Sequence, residues 1–356
     1  MSKLYCLALT LLLLSGCTSY GVIDNKPQSA TRTTDGYTIR SGGGSGWRSG
    51  ELSLMLAFSG GGTRAAALAY GVLQELRDTV VTIDGRHRRL LDEIDVISAV
   101  SGGSFTAAYY GLFGDQLFED FEEVFLKRNV QAELLAALFN PLRWFSSKGR
   151  TEIAIDLYQK VVFRNKTYAD MRRDDSPLIL INASDLFHGV RFSFVQEYFD
   201  LLCSDLNSFP VARAVAASSA VPVLFNPIVL ENYSGCETDT AELVVAAETR
   251  AQGNAEMGEV VRGLRTYADK DQRKYAHFVD GGITDNHGYF QIKDMKYGRY
   301  YLEIKFIGFE RKQISDVNIT PRSKEAILGK IMISPSLQSL PEATVTAREL
   351  PVEYHI

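Results

Sequence analysis

A serine at position 101 stands where an apolar run stops and glycines begin, in Ala99-Val100-Ser101-Gly102-Gly103. A hydroxyl held at such a point could attack an ester carbonyl. The small-x-Ser-x-Gly pattern between a strand and a helix lets the chain reverse sharply and presents the hydroxyl. Small neighbours are needed because the backbone there is crowded and strained. Ala99 occupies the first small position, where Gly is usual. Ser-Gly-Gly also serves in plain turns, so Ser101 needs partners before chemistry can be assigned to it.

Two other stretches could supply them. SGGGTR, Ser59 to Arg64, lies between an apolar run and a helical pattern. Its three glycines allow backbone N–H groups to point at a ligand, and a helix N-terminus adds positive potential. Such a loop can hold a phosphate or the oxyanion of an acyl-transfer intermediate, where one donor is typically worth about 3 kcal/mol of barrier. No Gly-Lys-Ser/Thr ending follows, so a nucleotide-binding P-loop is disfavoured. The loop could also be only a tight turn. VDGG, Val279 to Gly282, ends a further strand pattern, and the Asp280 carboxylate could take a proton from Ser101 if it came within about 3 Å. Alone, Asp-Gly-Gly is a turn.

Taken together, GGGTR, AVSGGS and DGG occur in the order and contexts of the patatin-like phospholipases. ARAVAASSAVPVLFNPIVL, from Ala212 to Leu230, also resembles that family's helix and Pro turn before the last catalytic strand. The resemblance covers residues 52–287. It implies a three-layer α/β/α fold and a Ser–Asp dyad without histidine, with Ser101 as nucleophile and Asp280 as base. It further implies an oxyanion hole from Gly60, Gly61 and Gly62, with Arg64 fixing that loop and Gly103, Gly281 and Gly282 in support. The implied substrate is a phospholipid or another acyl glycerol, and no cofactor or metal is implied. A Ser-His-Asp triad would instead need His87, His188, His277 or His287. His277 is three residues from Asp280 along a strand, which places the two on opposite faces.

The elements that must position these residues can be read from periodicity. LSLMLAFS, from Leu52, is a continuous apolar run, as in a strand buried on both faces. AAALAYGVLQELRD reads as a helix, IDVISAVS as a second strand, and GGSFTAAYYGLF as the helix after it. PLILINASDL and RFSFVQEYF read as strands, FPVARAVAASSAVPVLF as a helix stopped at Pro222, and YAHFVDGGITDN as a strand with a glycine turn. Alternating strands and helices indicate an α/β domain with a mainly parallel sheet. Between them, residues 132–162 are helical and unusually apolar, as core or as a lipid-facing lid.

The N-terminus carries a different signal. MSKLYCLALTLLLLSGC has Lys3, a leucine-rich run too short to span a bilayer, then small residues, which reads as a signal peptide over residues 1–16. Leu14-Ser15-Gly16-Cys17 resembles a bacterial lipobox, which implies cleavage before Cys17 and a diacylglyceryl group on its sulfur. Thr18 in place of Asp implies the outer membrane. Residues 17–51 are polar and rich in Gly, Ser and Thr, and read as a flexible tether with an r.m.s. reach near ~30 Å. Cys203 and Cys236 would be the remaining thiols, either a disulfide in an oxidising compartment or two separate buried cysteines. No Cys/His cluster has metal-ligand spacing. Net charge is −5 with 23% charged residues, which gives no support to a nucleic-acid partner.

Past His287 the patatin pattern stops. Residues 288–356 alternate apolar and polar positions, and resemble the later strands of the carboxypeptidase-regulatory-like β-sandwich that precedes TonB-dependent receptor barrels. The expectation is a β-rich, incomplete sandwich fused near residues 282–289; a diverged patatin ending is the alternative. Two functions follow: a membrane-anchored serine acyl hydrolase, or a non-catalytic lipoprotein that binds lipid or a partner.

Overall fold

The computed structural model describes residues 22–28, 36–39, 52, 54–83, 85–128, 150–222, 225–236, 244, 248, 255–283, 297–304, 312–321 and 347–349. Residues 1–291 form one compact unit and residues 292–356 a second.

In the first unit, a two-residue strand β1 (Lys26–Pro27) precedes β2 (Leu54–Phe58), the helix α1 (Gly62–Asp78) and the hairpin β3 (Val80–Ile83) with β4 (Arg86–Arg89). Then come β5 (Ile94–Val100), α2 (Gly102–Phe113) and α3 (Arg150–Leu157). The strands β6 (Leu178–Asp185), β7 (Arg191–Ser193) and β8 (Ser204–Asp205) lead to α4 (Val211–Ser218), β9 (Ile228–Glu231) and β10 (Tyr275–Val279). The central sheet has the order β2-β5-β6-β10-β9, with β7 also paired to β6. The pairs β2/β5 and β5/β6 are parallel; β10 is antiparallel to both β6 and β9. β9 therefore shares the direction of β2, β5 and β6, and the sheet is mixed but mostly parallel.

Helices pack on this sheet around one continuous core that includes Ile97, Tyr109, Ile181, Phe192 and Phe278. The α/β class read from the alternating elements is the fold observed. In detail the sequence misled twice. β2 is not buried on both faces: it is the sheet edge, and only Phe58 of its five residues is buried. RFSFVQEYF is not one strand. Its first part is β7, whereas Gln196–Leu201 is helical, because after Val195 the apolar residues Tyr198, Phe199 and Leu201 bury at helical spacing.

Within residues 17–51, read from the sequence as a tether, segments 22–28 and 36–39 are docked on the domain, and the other residues lie outside the described ones. β1 pairs antiparallel with β8, and the buried Asn25 side chain donates to Ser204 Oγ at 3.1 Å and to the Glu231 carbonyl at 2.8 Å. Tyr37 is buried in the core; its hydroxyl accepts from Ile179 N at 2.6 Å. Low hydropathy hid this strap, because it docks through backbone pairing and a few polar side chains and not through a periodic apolar face. Arg213 of α4 locks it. Its guanidinium pairs with Glu152 at 2.8 Å and Asp24 at 2.7 Å, and donates to the Val22 carbonyl at 3.0 Å. Directly before β8, Cys203 is joined to Cys236 by a disulfide with Cα atoms 5.5 Å apart, and the Cys203 carbonyl accepts from Gln28 N at 2.8 Å.

Residues 1–21, with the signal and Cys17, lie outside the described residues, as does the apolar stretch 129–149. The described remainder of that stretch is core, with Ala154, Ile155 and Val162 buried. Among the described residues no helix is long and apolar enough to cross a membrane. In the second unit, β11 (Gly298–Ile304), β12 (Lys312–Ile319) and β13 (Ala347–Glu349) form an antiparallel sheet of order β12-β11-β13. The region is strand-rich, as its alternation suggested.

The Arg213 cluster gives a test. Arg213→Ala leaves the buried Glu152 without a counter-charge and should cost about 3–5 kcal/mol in urea unfolding. Asp24→Ala removes only the more exposed partner and should cost under about 1 kcal/mol.

Candidate active site

Ser101 follows β5 directly and caps the start of α2. Its φ of 50° and ψ of −124° put a non-glycine residue in a region that costs about 1–3 kcal/mol. The neighbourhood holds it there. Its N–H donates to Ser218 Oγ at 2.8 Å, and Ser218 Oγ donates onward to the Asn182 carbonyl at 2.6 Å. Ser104 Oγ donates to the Ser101 carbonyl.

The two residues after Ser101 must be glycine for steric reasons. A Cβ on Gly102 would sit 2.0 Å from the Gly62 carbonyl oxygen, and one on Gly103 would sit 2.7 Å from Phe58 Cβ. The turn at Ser101 thus packs closely on the stretch from Phe58 to Gly62. Gly61 and Gly62 have φ of 139° and 64°, which only glycine adopts without strain. α1 begins at Gly62, so its first N–H groups have no acceptor within the helix. The N-termini of α1 and α2 converge beside Ser101 and favour negative charge there.

Asp280 follows β10, two strands from β5, and the intervening β6 sets the gap. Ser101 Oγ donates to Asp280 Oδ2 at 2.9 Å, and Gly282 N donates to Asp280 Oδ1 at 2.8 Å. The Asp280 backbone is fixed as firmly: its N–H donates to the Ala220 carbonyl at 2.9 Å, and its carbonyl accepts from Ser184 Oγ at 2.8 Å. Gly281 is wedged against β6, where a Cβ would come 2.4 Å from the Asn182 carbonyl. Ser101 and Asp280 are both buried. Burial raises the Asp280 carboxyl above its ordinary value, partly offset by the bonds from Gly282 and Ser101.

The structure therefore brings Ser101, Asp280, Gly60–Gly62, Gly103, Gly281 and Gly282 to one place. Arg64 is different. It is exposed on the first turn of α1 and makes no hydrogen bond or ion pair among the described residues. The described contact that packs this loop is the close approach of the Gly102 and Gly62 backbones. His87 lies on the β3–β4 hairpin beside Thr82, and the His277 ring packs on Phe187. The Asp280 oxygens bond instead to Ser101 and Gly282. No group of His, Cys, Asp and Glu among the described residues could hold a metal ion.

Three residues escaped the sequence reading. Ser218 holds the Ser101 amide, Ser184 holds the Asp280 carbonyl, and buried Asn182 ties β5, β6 and β7 together. Asn182 donates to Ser98 Oγ at 2.9 Å and accepts from Ser193 Oγ at 2.7 Å. The one available signal was the presence of polar residues inside apolar strand and helix patterns, since buried polar groups must find partners.

An α/β sheet with a strained serine between strand and helix, a glycine loop against it and a carboxylate in hydrogen-bond reach defines an acyl-hydrolase architecture. Residues 56–291, about two thirds of the chain, match the family described as patatin-like phospholipase, and the chain belongs to that family of lipid acyl hydrolases. No curated protein sequence matches the chain.

The crowding predicts two graded defects. Gly102→Ala has no room for its methyl group and should lose either folded protein or nearly all ester hydrolysis. Ser218→Ala should keep the fold by circular dichroism but lower kcat more than KM, because only the setting of Ser101 is disturbed. An unchanged kcat would contradict a positioning role for Ser218.

Proposed function

We propose that this chain is a phospholipase A or lysophospholipase type of ester hydrolase that works through Ser101 and Asp280. The hydrogen bond of 2.9 Å between Ser101 Oγ and Asp280 Oδ2 carries this reading. As Oγ bonds to the ester carbonyl carbon, its proton passes to the Asp280 carboxylate, and the carbonyl π electrons move to oxygen as an oxyanion. Backbone N–H groups of Gly60, Gly61 and Gly62 receive that charge where α1 begins. Collapse expels the alcohol as alkoxide, which takes the proton from Asp280, and leaves an acyl group on Ser101. Water, deprotonated in turn by Asp280, attacks the acyl-serine carbonyl; the bond from that carbon to Oγ then breaks, Oγ takes the proton back from Asp280, and the fatty acid leaves.

Asp280 can serve as the base only when ionised. Its raised carboxyl, caused chiefly by burial, moves the acid limb of the rate profile above the ordinary aspartate value. Gly282 N–H, bonded to Oδ1, keeps Oδ2 turned to the serine. The location belongs to the same proposal: an exported protein held at the outer membrane by lipid on Cys17, facing phospholipid or acyl-glycerol substrate.

Fatty-acid release from micellar phospholipid tests the reading. Ser101→Ala and Asp280→Asn should each lower it by about 10²–10⁴-fold. In the wild type the rate should rise with pH through the Asp280 titration and then level off. Release that survives both substitutions would reject the dyad; no release from wild type would favour a binding protein.

A further inference from the structure

The docked strap changes what an anchor at Cys17 would do. Four residues separate Cys17 from Val22, and the five residue steps between them span at most about 18 Å. The anchor point is therefore close to wherever Val22 is fixed, and a long reach is unavailable to it.

Val22 is fixed on the flank of the dyad. Its N–H donates to Glu152 Oε1 at 3.0 Å, in the first turn of α3, and its carbonyl accepts from Arg213. The preceding residue, Thr151, exchanges hydrogen bonds with Asn226, accepting at 2.7 Å and donating at 3.0 Å. Phe225 N then donates to the Val221 carbonyl, and the Ala220 carbonyl accepts from Asp280 N. A short chain of contacts thus joins the end of the strap to the catalytic carboxylate. Along α4, Arg213 and Ser218 are five residues apart, about 7.5 Å of helix rise.

Apolar side chains along this chain of contacts are exposed: Val22 by 47%, Val221, next to the Ala220 that accepts from Asp280 N, by 41%, and Ile283, whose N–H donates to the Asp280 carbonyl, by 57%. The opposite end of α1 gives a contrast. Val80 is also exposed, at 60%, but it follows a 17-residue helix that starts at the glycine loop, so it lies about 25 Å from that loop.

We infer that the strap seats the enzyme on the lipid bilayer in one orientation, with Val22, Val221 and Ile283 against the membrane and the dyad opening toward it. This rests on the proposed lipid at Cys17, and the bilayer that receives that lipid is the partner. A tether of 30 residues would let the domain tumble; a leader of five residues joined to a pinned strap does not.

Single-cysteine labelling tests it in the full chain, purified from bacterial membranes in a Ser101→Ala background so that lipid is not consumed. Cys17 is blocked by its lipid and Cys203 and Cys236 by their bond, so Val221→Cys, Ile283→Cys and Val80→Cys each offer one thiol for a fluorophore. In phosphatidylcholine vesicles containing brominated acyl chains, quenching should be severalfold greater at 221 and 283 than at 80. Mass spectrometry of the N-terminal peptide separates the two premises. An unmodified Cys17 overturns the anchor and this orientation with it. An acylated Cys17 with equal quenching at all three sites overturns the orientation alone.

Discussion

A single hydrogen bond, from the Ser101 hydroxyl to the Asp280 carboxylate, closes a loop of 179 residues. Neither residue could hold its place by local structure. Ser101 sits in a strained conformation that β5, α2, Ser218 and the packing of Gly102 on Gly62 impose together. Asp280 needs β10 to run antiparallel beside β6, and needs Ala220 and Ser184 to clamp its backbone. The register of the sheet is thus also the geometry of the site, since a slip of one residue in β10 would turn Asp280 to the other face.

What could be read in advance follows from which constraints leave a mark on residue type. Backbone crowding and positive φ leave a sharp one: a methyl group would collide at Gly102, Gly103 and Gly281, and Gly61 and Gly62 have positive φ, so glycine stands out there in the bare sequence. The α/β alternation is legible for a similar reason, as strands such as IDVISAV must be apolar to be buried. Polar support is nearly silent. Ser98, Ser184, Ser193 and Ser218 look like any serine, and only the fold shows that each faces a buried carbonyl, amide or hydroxyl. The strap has the composition of a linker, yet it docks through the pairing of β1 with β8, through Asn25 and Tyr37, and through Arg213. The short helix at Gln196–Leu201 was misread because an apolar run there fits both periods.

The supporting network also explains a trade within the molecule. Burial that raises the Asp280 carboxyl disfavours its charged form, and the left-handed Ser101 backbone adds strain. The native state binds that proton more tightly than the unfolded chain. Stability is therefore given up as pH rises from the ordinary aspartate value through the raised one. The dense core around Phe192 and Phe278 and the disulfide between Cys203 and Cys236 offset such costs.

The docking of residues 22–28 against residues 204–231 also sets the timetable of folding. The Asn25 side chain meets Ser204 and the Glu231 carbonyl, partners 179 and 206 positions later. Contacts so distant form slowly, because a long span of chain must be ordered before they reward it. During synthesis this early segment waits, without its acceptor, until more than half the polypeptide has followed.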